Sequence, residues 1–324
     1  MKVWNALEHV NLCLTTLLQN TTCEFELIII NNGSCKAAQE YLRGVALDDP
    51  RIRLIENEIN MGPARANLQG VAVAAENMIC LIDSDVLVPH GWLTRLVDIF
   101  EADKTIKILT PMKFSETNRH PVSAASSREV WLKTKCEYAK LTPLEQFRIF
   151  SHGLSIDEFD AAFCAANSTG LTRLKCPPVF SSSCCALLDA DFIRQSGGVA
   201  DAMFVRYGAE DVDLCWRVGT QGGIVAKTSS VYVHHFHNSS LISNGADSGA
   251  LLHTANLLLY RKWKTEILRL VKNEVNQGKN LDTILSSYYI FQPLFDDTPF
   301  RDDLREAFPS LEVPEFVKWR YSQE

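Results

Sequence analysis

The sequence predicts an α/β fold: a parallel, doubly wound sheet followed by a mostly helical C-terminal extension. Three observations carry this. Short unbroken apolar runs, Glu26 to Ile30 and Met78 to Ile82, suit strands buried on both faces of a parallel sheet. Segments with helical spacing of apolar residues lie between them. Turn-forming residues such as Asn31-Asn32-Gly33-Ser34 directly follow a strand. Alternation of strand and helix is the signature of such sheets.

Each element has its own warrant. Val10, Leu14, Leu17 and Leu18 recur at helical spacing, predicting a helix over Asn5 to Gln19. Cys35 to Leu47 reads as the next helix, and Arg51 to Ile55 alternates as a strand does. Pro63 to Glu76 is Ala-rich, with Pro63 suited to a first helical turn. Trp92 to Phe100 predicts a helix and Lys107 to Thr110 a strand. From Lys113 to Phe180 periodicity is weak, and loops plus one helix near Leu144 to Phe150 are expected. Phe180 to Leu188 predicts a strand, Asp189 to Gln195 and Gly208 to Val218 helices. Ile224 to Ala226 and Val231 to His235 predict strands, with helices after Ser248.

Composition sets the bounds. At 324 residues, with ~150 residues per domain as a guide, the chain holds two domains or one large α/β unit. A 46% hydrophobic and 22% charged composition excludes a disordered chain. The net charge of −7 argues against a dedicated nucleic-acid binder. No apolar run approaches the ~18 residues that span a bilayer, and no signal peptide opens the chain. Ten cysteines in a chain of this length read as reduced thiols, so a cytoplasmic location is expected.

In doubly wound sheets, ligands sit beyond the carboxyl ends of the strands. Asp83-Ser84-Asp85 leaves such an end, and two carboxylates there can face one ligand or a hard divalent cation. A solvated turn or a helix cap is the bland alternative, and the commoner one for an isolated Asp-x-Asp. Glu210, Asp211 and Asp213 crowd the first turn of a helix. They either favour the helix dipole or supply a general base. On a helix Asp211 shares a face with Leu214, while Glu210 points about 100° and Asp213 about 200° away from Asp211. His234, His235 and His237 cluster at a strand end, which favours a metal or phosphate site over a packed lone histidine. Asn60-x-Gly62-x-Ala64-x-x-Asn67-x-x-Gly70 is a loop-to-helix junction whose glycine permits close approach of a phosphate. An ordinary small-residue packing face is the alternative.

Taken in order and spacing, these clusters resemble the inverting family 2 glycosyltransferases of GT-A fold, nearest to rhamnosyltransferase-like bacterial members that build surface glycans. The matching pieces are Ile28 to Ser34, Asn60 to Gly70, and Leu81 to Asp85 with Pro89 and Trp92. They continue with Gly197-Gly198, Glu210 to Arg217, His234-His235 and Tyr260-x-Lys262-Trp263. The resemblance implies a GT-A-like nucleotide-binding domain over 1–245, its nucleotide-sugar half at 1–110 and its acceptor half at 111–245, with a helical extension over 246–324. It implies a donor site from Asn31, Asn60, Gly62, Arg65, Asp83, Ser84 and Asp85. Asp83 would contact the ribose. Asp85 would bind Mn²⁺ or Mg²⁺, with His235 or else His234 as a second ligand. Asp211 would be the base, supported by Glu210. The implied partners are a nucleotide-sugar donor and a glycan, lipid-linked or other hydroxyl acceptor, reached at the inner face of a membrane or free of it. No nucleic acid is expected.

Two departures stand out. Asn31 replaces the Asp usual near the nucleobase. The family's first strand is reduced to Val3-Trp4-Asn5, so either the chain starts upstream, another segment fills the gap, or donor binding is impaired. The last option supports an alternative: a catalytically weak, glycosyltransferase-like binding or scaffold protein. A dinucleotide-dependent oxidoreductase is disfavoured because no Gly-x-Gly-x-x-Gly follows a strand.

Overall fold

A computed structural model describes residues 1–115, 118–205, 207–315 and 317. The chain runs through β1 (Lys2–Val3), α1 (Leu7–Asn20), β2 (Leu27–Asn32), α2 (Lys36–Asp48), β3 (Ile52–Asn57), α3 (Pro63–Val73) and β4 (Met78–Ile82). It continues with β5 (Val86–Leu87), α4 (Trp92–Ala102), β6 (Ile106–Met112), α5 (Ser127–Glu137), α6 (Pro143–Phe150), α7 (Ile156–Ala166) and β7 (Leu171–Leu174). Next come β8 (Cys185–Asp189), α8 (Ala190–Gln195), α9 (Glu210–Thr220), β9 (Ile224–Tyr232), β10 (His234–His235) and α10 (Ser239–Ser243). The helices α11 (Ser248–Asn276), α12 (Leu281–Ser287), α13 (Phe291–Asp297) and α14 (Phe300–Ala307) follow. The expected helical extension holds up to 307, and its last residues, from 318, lie outside the described residues.

Strands β1, β2 and β3 pair in parallel, and so do β6 and β9. Two strands run the other way. β8 lies antiparallel between β4 and β6, and β7 antiparallel on β9. The sheet is therefore mixed, where the sequence suggested a parallel one. A parallel bridge from Lys2 to Asp83 joins the two groups of strands, giving the order β3-β2-β1-β4-β8-β6-β9-β7.

The first strand is present but two residues long. The Met1 ammonium donates to Ile28 O at 2.8 Å, and Ile30 N donates to Met1 O at 2.8 Å. Asn5 does not open α1, as its sequence context suggested. Asn5 and Ala6 take left-handed backbone, and the Asn5 carboxamide accepts from Cys35 N at 2.7 Å. This clip turns the chain from β1 toward α1 beside the Asn31–Ser34 turn.

The strand pleat sends neighbouring residues to opposite faces. Ile82, Leu109 and Leu187 pack with Leu14, Trp92 and Phe100 on one side. Leu81, Ile108 and Leu188 pack with Trp216, Leu259 and Phe291 on the other, so α9 and α11 to α14 share one core. A third, aromatic cluster gathers Trp131, Phe147, Phe150, Phe159 and Phe163 from α5, α6 and α7. Only one of those three helices was expected. Each starts with a capping box, Ser126/Glu129, Thr142/Glu145 and Ser155/Glu158, a Ser/Thr-x-x-Glu signal that is visible in the sequence. Among the described residues no helix is long and apolar enough to cross a membrane.

Candidate active site at the ends of β4, β10 and α9

Asp83, Ser84 and Asp85 form the link between β4 and β5. The short β5 pairs antiparallel with β10, setting His235 opposite Val86 and therefore next to Asp85. Nε2 of His235 lies 3.1 Å from Asp85 Oδ1 and 3.6 Å from Asp83 Oδ2. One donor atom from each of the three residues falls within 4.8 Å of the others. Burial works against a charged imidazole, yet the Asp85 carboxylate and the Cys184 sulfur together outweigh it and lift His235 to about 10. Burial likewise opposes the Asp85 charge, but His235 holds that carboxyl well below its usual range. The two carboxylates thus favour positive charge between them. Two carboxylates and an imidazole nitrogen are a donor set that suits Mn²⁺.

His234 has a different place. Consecutive strand residues face opposite ways, so His234 and His235 cannot share one ligand. The His234 ring is buried among Trp131, Phe147, Phe150 and Phe236, and its Nδ1 meets the Tyr232 hydroxyl at 2.9 Å. Burial holds it neutral. This corrects the expectation of His234 as an alternative metal ligand.

The start of α9 supplies the second pair of acids. Gly208 and Ala209 both have positive φ, 103° and 64°, and Ala209 carries a conformation that costs a non-glycine residue ~1 kcal/mol or more. That bend delivers Glu210 and Asp211. Burial, then the neighbouring Asp211 charge, pushes the Glu210 carboxyl up to about 7, and among the described residues its buried Oε2 has no hydrogen-bond partner. Asp211 is also raised, by burial first, and its Oδ1 accepts from Val212 N at 2.8 Å. Asp213 is a different matter. It is fully buried, accepts from Arg217 Nε at 2.8 Å and Trp263 Nε1 at 2.9 Å, and pairs with Lys262 Nζ at 2.7 Å. Its helical position turns it into the core as a brace between α9 and α11.

The remaining sequence candidates lie at the ends of β2 and β3. Asn31 is buried, donates to Glu56 Oε1 at 3.2 Å and accepts from Ser34 N at 3.2 Å. Asn60 Oδ1 accepts from Gly62 N and Asn32 Nδ2, both at 2.8 Å, which shapes the loop before α3. Gly62 caps α3 with φ 82°. Arg65 is exposed on the first turn of α3. Ser84 is buried beside the two aspartates.

Lys2, Lys113 and Tyr207 were not singled out from the sequence. Lys2 Nζ sits 2.5 Å from Asp83 Oδ1. Cys184 is buried, with Lys113 Nζ 4.0 Å from its sulfur. Burial opposes its ionisation, but Lys113 and His235 lower its pKa. The Tyr207 hydroxyl donates to Asn238 Oδ1 at 2.8 Å. No local motif marks these residues, because strand pairing and core packing alone bring them here.

Sheet and helices together have the GT-A fold. The overall shape is similar to mannosyltransferase PcManGT from Pyrobaculum calidifontis, solved with GDP-Man and Mn²⁺. That likeness has TM-score 0.50 at 14% identity and covers 95% of this chain and 70% of that one. GalNAc-T7, solved with UDP, GalNAc and Mn²⁺, matches with TM-score 0.52 at 12% identity, over 93% of this chain and 55% of that one. The chain belongs to glycosyl transferase family 2, whose family profile matches residues 1–162. It is 22% identical to the pre-mycofactocin glycosyltransferase of Mycobacterium tuberculosis over 216 residues, 66% of this chain and 38% of that protein. It is 25% identical to glycosyltransferase GlyG of Streptococcus pneumoniae over 117 residues, 36% of this chain and 39% of that protein. The chain thus spans less than two fifths of these relatives' length.

Proposed function

We propose that this chain is a metal-dependent inverting glycosyltransferase that moves a hexosyl or deoxyhexosyl group from a nucleotide-sugar to a hydroxyl acceptor in glycan assembly. The observation that carries the reading is the convergence of Asp83, Asp85 and His235, with two raised carboxyls at the start of α9 in electrostatic contact with Asp83. Asp85 and His235 would hold Mn²⁺ or Mg²⁺, and the imidazole favours Mn²⁺. PcManGT and GalNAc-T7, both solved with Mn²⁺, lend this support. A bound divalent cation would offset the charge that builds on the departing diphosphate.

Asp83 holds the ribose, while Asn31, Asn60, Gly62, Arg65 and Ser84 line the donor side. Asp211 takes the proton from the acceptor hydroxyl as that oxygen attacks the anomeric carbon opposite the leaving group. The configuration therefore inverts. A carboxyl raised toward neutrality by burial is a better base than an exposed one. Glu210 supports the acceptor or the base. Residues 1–110 form the nucleotide-sugar half, 111–245 the acceptor half and 246–324 the helical extension, working at the cytoplasmic face of a membrane or free in the cytoplasm.

The test is a thermal-shift screen of nucleotide-sugars with Mn²⁺, since a ligand that binds only the folded state raises the melting temperature. The donor should stand out, and Asp85→Ala should erase its Mn²⁺-dependent shift. A parent-like shift in that variant ends the metal assignment. One observation favours a second reading, a weak catalyst that acts as a binding or scaffold protein: the Lys2 ammonium already neutralises Asp83. Release of nucleoside diphosphate that needs Mn²⁺ supports the enzyme. Tight donor binding with no release supports the scaffold.

A further inference from the structure

The loop that carries Glu210 and Asp211 into the site also walls a cavity of about 190 Å³. Met203, Phe204 and Tyr207 line it from the loop, and Leu251, Ala255 and Leu258 from α11. Thr254 adds a hydroxyl, and none of the described lining residues is charged. The loop lies hard against α11: a Cβ on Gly208 would stand 2.8 Å from Leu252 Cδ2 and 3.4 Å from Ala255 Cβ. Val205 and Leu252 are 42% and 39% exposed, so apolar surface continues beyond the cavity.

Tyr207 joins this cavity to the acidic site. Its ring is part of the wall, and its hydroxyl reaches Asn238, three residues beyond His235. Burial, and then the charges of Glu210, Asp211, Asp83 and Asp85, suppress its ionisation, which places all four carboxylates within electrostatic reach of that hydroxyl. The proposed donor residues, by contrast, come from the ends of β2 and β4 and the start of α3. The cavity walls come from the loop before α9 and from α11 alone, on the base's side of the site.

The lining decides what can enter. A sugar ring or a phosphate would lose hydrogen bonds to water and find almost none in return. The volume is below the ~300 Å³ of pockets that enclose a whole drug-sized ligand, so it suits part of a molecule. We infer that this cavity is an acceptor subsite for an apolar aglycone, an alkyl or aryl group attached to the hydroxyl-bearing portion that meets Asp211. The inference rests on Asp211 as the base, since that brings the acceptor hydroxyl to a carboxylate within electrostatic reach of Tyr207.

The experiment uses the full chain with Mn²⁺ and UDP or GDP, whichever shifts its melting temperature. Methyl, butyl, hexyl and octyl β-glucosides, each below its micelle concentration, serve as probes in titration calorimetry or saturation-transfer NMR. Affinity should rise by up to about fourfold per added methylene, the scale of burying one CH₂ group, and then level off as the cavity fills. Ala255→Trp, which fills the space, should flatten the series. Leu258→Ala, which enlarges it, should move the plateau to a longer chain. A flat series in the parent, or a chain-length dependence that neither variant alters, overturns the inference. Nucleotide binding on the same samples separates the two readings. Normal Mn²⁺-dependent binding with a flat series removes the subsite alone, whereas no nucleotide binding in the parent removes the glycosyltransferase reading beneath it.

Discussion

Replacing Glu210 by Gln should stabilise the protein above neutral pH and change it little in acid. In the folded chain the Glu210 carboxyl is pushed from 4.5 to about 7, by burial first and by the Asp211 charge second. Below pH 4.5 the folded and unfolded chains both hold the proton, and the group costs nothing. As pH rises from there, the unfolded chain releases the proton while the folded chain keeps it, so stability falls. The loss is complete once pH passes about 7. The gap between the two values corresponds to about 3 kcal/mol. Because Glu210 and Asp211 titrate as a pair, that energy belongs to both, and ~2 kcal/mol is the share expected from removing one partner. Gln keeps the shape and cannot ionise. Urea unfolding in the presence of a chelator, at pH 5 and pH 8, measures the effect. The variant should exceed the parent by ~2 kcal/mol at pH 8 and by well under half of that at pH 5. Equal differences at the two pH values, or a variant weaker than the parent at pH 8, would refute an uncompensated buried carboxylate at this position.

Asp211→Asn should lower turnover by roughly two or more orders of magnitude, the scale of a lost general base. Its stability above neutral pH should not fall below that of the parent, since the Asp211 carboxyl is itself raised by burial, and near-normal turnover would end the base assignment. Asp213→Ala should do the opposite in kind, costing about 3–5 kcal/mol in urea because Arg217 and Lys262 lose their shared buried partner. Gly219→Ala places a Cβ 2.0 Å from Cys176 O. A backbone carbonyl cannot swing aside, so a clear drop in melting temperature is expected, and an unchanged one would mean that α9 moves freely against this segment.

Much of the local structure was legible in the sequence. The apolar runs of β2 and β4 and the helical spacing of α1 depend on residues a few positions apart, as does the turn, which starts after Asn32 rather than after Ile30, and short-range sterics and burial settle them. The helices α5 and α7 were missed even though their capping boxes stood in the sequence, because their aromatic residues answer to the cluster around His234 rather than to a regular stripe. Asp83, Asp85 and the acids of α9 were visible as candidates from their positions at a strand end and a helix start. Their mutual geometry was not.

Tertiary structure alone decided the rest. Pairing of β10 with β5 sets His235 against Asp85 and sends its neighbour His234 into the aromatic core. Packing of α9 on α11 turns Asp213 into a brace and leaves Asp211 on the site's side. The two-residue β1 places Lys2 on Asp83 because the backbone of β2 holds Met1 and Lys2 in register. The antiparallel course of β8 follows from how the chain returns after β7, not from any residue within the strand. The physical reason is common to all four: side-chain type and local spacing determine which groups are chemically able to meet. Contacts between residues far apart in sequence are set by which strands pair and which faces pack, and those free energies are summed over the whole core.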